Sequence, residues 1–81
     1  MTDQPALQVP PHLQPGARLR HYKGGLYRVE GACLVEATHE TGILYRPEQG
    51  NATDVLWMRP AGAFDDMVDT SSGPVRRFTP L

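Results

Sequence analysis

Lys23-Gly24-Gly25 sits between two stretches that alternate with a period of two, and this arrangement constrains the fold more than any other feature of the chain. Upstream, Ala17, Leu19 and His21 alternate with Arg18, Arg20 and Tyr22; downstream, Tyr27, Val29 and Gly31 alternate with Leu26, Arg28 and Glu30. Alternation of this kind puts one set of side chains on each face of a strand. Glycine reaches positive φ without steric cost, so a Gly-Gly pair between two such runs predicts a tight hairpin turn.

The rest of the chain repeats the theme. ACLVEATH (32–39) continues the second strand beyond a bulge at Gly31, or forms a third segment. HETG (39–42) is a turn, ILYRP (43–47) a strand closed by proline, EQGNATD (48–54) a polar loop, and VLWMRP (55–60) another proline-ended strand. Then the period changes: Phe64, Met67 and Val68, at i, i+3 and i+4, predict one or two helical turns, with Asp65 and Asp66 in the first turn complementing the helix dipole. DTSSGP (69–74) is a turn, and VRRFTPL (75–81) a short strand at a sheet edge. Short strands with turn signals every eight to twelve residues predict a mainly β fold. The form expected is a small barrel, or a strongly bent antiparallel sheet of about five strands, with one short helical turn.

The expected core is Leu19, Leu26, Val29, Val35, Leu44, Leu56, Met58, Phe64 and Val68, with Tyr27 or Trp57 partly buried. The chain has 81 residues, enough for one domain with a small core. Residues 1–16, MTDQPALQVPPHLQPG, hold four prolines and no apolar periodicity. They are expected to form a disordered or polyproline-like tail that adds nothing to the core, with the domain spanning 17–81. A single cysteine, Cys33, permits no intrachain disulfide. No basic segment followed by an apolar run marks a secretory signal, and no apolar run is long enough to span a membrane, so the expected location is the cytoplasm.

A net charge of −1 argues against a general nucleic-acid coat protein. The sign is unevenly placed, with Arg18, Arg20, Lys23 and Arg28 near the start and Asp65, Asp66 and Asp69 near the end. Four phosphate contacts from the basic group would give a salt slope of about −3 to −4 and lose about a hundredfold in affinity between 50 and 200 mM salt. A nucleic-acid role would therefore need stacking by Tyr22 or Trp57.

The blocks RHYKGGLYRV (20–29), LYRP (44–47), LWMRP (56–60), Phe64 and GPVRRF (73–78) together resemble a bacterial family, the domain-of-unknown-function family 1653. Their order and spacing cover about residues 16–81. The resemblance implies a compact, mostly β domain similar to SH3-like barrels, and it brings no activity. Two positions depart from the family's pattern: Ala61-Gly62 stands where a bulky apolar residue usually follows Arg-Pro, and Arg76 where proline is more usual.

Catalytic signatures are missing. His12, His21, His39 and Cys33 lack metal-ligand spacing, so no metal or other cofactor is expected. Cys33 in ACLV reads as a small core residue rather than a nucleophile. Asp65 and Asp66 diverge on a helix, and KGG lacks the phosphate-loop pattern. An enzyme is not expected. What remains is an aromatic and arginine surface, with Arg20, His21, Tyr22, Lys23, Tyr45, Arg46, Trp57 and Arg59 as candidate binding residues. The expected function is a non-catalytic module recognising a protein or peptide. The alternatives are weak nucleic-acid binding through Arg18–Arg28, and a small-ligand or enzymatic site around His21, Tyr22 and Lys23. The expected assembly is a monomer or a dimer through an edge strand.

Overall fold

In the computed structural model, which describes residues 7–50 and 53–81, the first hairpin forms where the glycines demand it. Strand β1 spans Arg18–His21 and β2 spans Leu26–Leu34. The Gly24 N–H donates to the His21 carbonyl at 2.7 Å, and the His21 N–H donates to Gly25 at 2.7 Å. Gly24 has φ +100°, so Tyr22-Lys23-Gly24 is the three-residue loop and Gly25 is the first paired residue after it.

Strand β2 then meets β3 (Thr41–Pro47), with a register shift between Val29 and Gly31. Glu30 is the extra residue of a β-bulge, which moves the core-facing positions of β2 from Tyr27 and Val29 to Ala32. Strand β4 (Trp57–Pro60) pairs with β3, and β7 (Phe78–Pro80) pairs with β1. The result is one antiparallel sheet ordered β4-β3-β2-β1-β7. Strands β5 (Met67–Thr70) and β6 (Gly73–Arg76) make a separate hairpin. The main sheet ends on β4 and β7 without closing, so an open sheet replaces the closed barrel expected as one of two forms.

The helix predicted around Phe64–Val68 is displaced. A 3-10 turn occupies Ala61–Asp65, and Met67 begins β5. Asp65 and Asp66 therefore lie at the end of the turn, where they pair with Arg76 at 2.8 Å and Arg59 at 3.4 Å instead of complementing a dipole.

The core lies on one face of the sheet. It consists of Leu13, Leu19, Val29, Ile43, Tyr45, Phe64 and Phe78. Three of the expected residues, Leu19, Val29 and Phe64, are in it. In β3 the phase is inverted: Ile43 and Tyr45 are buried, not Leu44, because the bulge at Glu30 and the pairing of Val29 with Tyr45 set which positions face inward. Leu56 and Met58 are 48% and 46% exposed, contrary to expectation. Leu13 is fully buried on the first 3-10 turn (Pro11–Leu13), with Val9 packed against the core. So the segment expected to add nothing contributes a core side chain; residues 1–6 lie outside the described residues.

Candidate functional site

The core-facing side of the sheet carries a nearly continuous band of rings. His21 on β1 packs against Phe78 of β7 at 5.0 Å between centroids, and against Tyr27 of β2 at 6.2 Å. Tyr27 meets Tyr45 of β3 edge-on at 5.6 Å, and Tyr45 pairs in register with Trp57 of β4. Phe64 and Phe78 underlie this band, 5.0 Å apart. Such edge-to-face pairs are each worth about 0.5–1.5 kcal/mol beyond area burial. At the β3–β4 end the rings stop packing tightly and leave an open cleft of about 340 Å³ lined by Tyr27, Tyr45, Pro47 and Trp57. Trp57 is 51% exposed, so one wall of the cleft is a half-solvated indole.

The arginines divide sharply. On the sheet face away from the core, Arg18, Arg28 and Arg46 sit side by side across β1, β2 and β3. Like charges in direct register repel. Two glutamates offset this: Glu48 takes both Arg18 Nε and Nη2 at 2.8 Å, and Glu30 from the bulge takes Arg28 at 3.0 Å and lies 3.3 Å from Arg46. Arg18 holds the Glu48 carboxyl below its ordinary pKa, chiefly through that hydrogen bond. On the core side, Arg59 donates to the Ala63 carbonyl at 3.2 Å and lies over the Phe78 and Phe64 rings at 5.8 and 6.0 Å.

His21 is half-buried, and its Nδ1 accepts the Lys23 N–H at 3.2 Å. Its pKa lies below the ordinary imidazole value, by burial first and then by the positive charges of Arg77, Lys23 and Arg59. Tyr22 is exposed at the hairpin tip, its ring tilted 35° to that of His21 at 4.7 Å, with Lys23 Nζ 5.8 Å from its ring centroid.

The candidate residues thus separate into three groups. His21, Tyr22, Lys23, Trp57 and Arg59 belong to the ring-lined side or its rim. Arg20 and Arg46 lie on the opposite face. Tyr45, expected at the surface, is only 9% exposed; burial raises its phenol pKa, and only its contribution to the cleft wall is available to a ligand. Tyr27, Pro47, Phe78 and Arg77 belong to the site and were not among the candidates. Tyr27 was legible as an alternating aromatic, whereas Pro47 reads in sequence only as a strand terminator. Among the described residues no group of three His, Cys, Asp or Glu side chains is placed to hold a metal, and no helix is long and apolar enough to cross a membrane.

These features define a small, open-sheet, mainly β domain with an aromatic cleft on its core-facing side. The family model for Protein of unknown function (DUF1653) matches residues 17–80, and the chain belongs to that family. It is similar to the crystal structure of a DUF1653 protein from Bordetella bronchiseptica, with 31% identity and a TM-score of 0.70 over 84% of this chain and 86% of that one. None of the curated proteins matches it.

Proposed function

We propose that this protein is a non-catalytic binding module that takes an extended, proline-containing peptide across its ring-lined face. The observation that carries the reading is the open cleft between Tyr27, Tyr45, Pro47 and the half-exposed Trp57. Flat aromatic walls suit a prolyl ring, whose extended conformation is already set and so loses little entropy on binding. The same walls stand on adjacent strands of one sheet, so the groove is preformed.

Nucleic-acid binding through Arg18–Arg28 is the weaker reading. Glu30 and Glu48 neutralise two of the three charges in the Arg18–Arg28–Arg46 row, leaving that row and Arg20 with a net charge of about +2. Two phosphate contacts give a salt slope of only about −2. The hairpin tip presents exposed Tyr22 and Lys23 beside a half-buried His21 rather than an enclosed pocket, which favours a rim role over catalysis.

Trp57 is the sole tryptophan, so its emission reports directly on the cleft. Proline-containing peptides selected from a displayed library should shift that emission on binding. Trp57→Ala, a change at an exposed position, should weaken the selected peptides about thirtyfold. Selected peptides that bind Trp57→Ala as tightly as wild type would rule out the cleft.

A further inference from the structure

The positive charges left over at one corner of the molecule narrow the kind of peptide the cleft accepts. Among the described residues, Arg18, Arg28, Arg46, Arg59 and Arg76 each have a carboxylate within 4 Å. Among the same described residues, Arg20, Lys23 and Arg77 have none. Arg20 is exposed on the face away from the cleft. Lys23 and Arg77 are brought together by the register of β1 and β7: His21 pairs with Phe78, and the Tyr22 N–H donates to the Arg77 carbonyl at 2.9 Å. Arg77 Nε is shielded from solvent and has no acceptor.

The corner is not an ordinary solvated patch. Its floor is the His21 and Phe78 rings, 5.0 Å apart, and Arg59 lies 5.8 Å from the Phe78 ring. An apolar floor weakens screening, so the gathered charges repel one another more than they would in water. Because Nδ1 of His21 accepts the Lys23 N–H, Nε2 is the protonated nitrogen and is a further donor. A carboxylate entering here would meet positive charge that no carboxylate among the described residues offsets.

The corner is continuous with the cleft. Tyr27 lines the cleft, and its ring centroid is 6.2 Å from that of His21. At about 3.3 Å per extended residue that is a step of about two residues. Resting on the peptide-binding reading above, we infer that the preferred ligand is an acidic peptide, with an aspartate or glutamate carboxylate held by Lys23, Arg77 and His21 about two residues from the proline in the cleft.

The test uses two synthetic peptides selected for the cleft, identical except for glutamate or glutamine at that position, titrated against the full chain at low salt by Trp57 emission. The glutamate peptide should bind about tenfold tighter. Lys23→Gln, at an exposed turn position that leaves the core untouched, should remove a large part of the preference, and Lys23→Gln with Arg77→Gln nearly all of it. Equal affinity for the two peptides overturns the acidic preference while leaving the peptide reading intact. A glutamate preference that survives both substitutions overturns the assignment to this corner. Failure of both peptides to bind sinks the peptide reading and this inference with it.

Discussion

At the scale of single residues, His21 shows how one side chain can serve the sheet and the surface together. It closes the first hairpin, packs on Phe78, and keeps its imidazole neutral because burial and three nearby cations oppose a further positive charge. A folded-state pKa below the unfolded value means that the unfolded chain binds the proton more readily. Stability is therefore full above about pH 6.5 and declines as the pH falls through the folded value. Thermal melts should show Tm falling between pH 7 and pH 5, and His21→Gln should flatten that part of the profile. An unchanged slope in the variant would show that His21 is not the group responsible. Glu48, held down by Arg18, acts in the same direction in a separate, lower window that opens below its ordinary carboxylate value.

At the scale of elements, β4 is the exposed edge of the sheet. Trp57 and Met58 in it, and Val55 and Leu56 just before it, are 51%, 46%, 41% and 48% exposed, a run of four large apolar side chains with no charge among them. Strand β7, the other edge and the one expected to associate, also ends in a proline that cannot donate to an added strand, but its one large apolar side chain, Phe78, is buried. An open apolar edge is an aggregation hazard. Leu56→Lys, at an exposed position outside the cleft lining, should reduce light scattering on heating while changing stability by no more than about 0.5 kcal/mol. Scattering that matches wild type would place the hazard elsewhere. The elements were largely legible in the sequence: the hairpin, the bulge near Gly31, the proline-ended strands and the edge position of the C-terminal strand follow from local alternation and turn chemistry. The helix was misplaced because the i, i+3, i+4 spacing of Phe64, Met67 and Val68 is also satisfied by a 3-10 turn followed directly by a strand.

At the scale of the whole molecule, the core extends beyond the segment that defines the family. The family match begins at residue 17, yet Leu13 is fully buried beneath the sheet and Gly16 N–H donates to the Val29 carbonyl at 2.8 Å. A domain of this size has a stability of about 4–12 kcal/mol. Leu13→Ala should cost about 2–5 kcal/mol and lower Tm by about 10 °C or more. A melt within a degree or two of wild type would show that the first turn only rests on the core.

By itself the sequence determined the mainly β class, the position of the first hairpin, and the excess of paired aromatic and arginine residues, because these depend on neighbours a few residues apart. Which face each residue occupies was decided only in three dimensions. One bulged residue, Glu30, reset the phase between β2 and β3, putting Tyr45 inside and leaving Arg46 with Glu30 on the other side. Likewise Arg28–Glu30, Arg18–Glu48 and Arg59–Asp66 consume much of the positive charge that looked available in the sequence. The meeting of Lys23 with Arg77 depends on β7 returning to β1, across more than fifty residues of chain, and no local pattern encodes that distance.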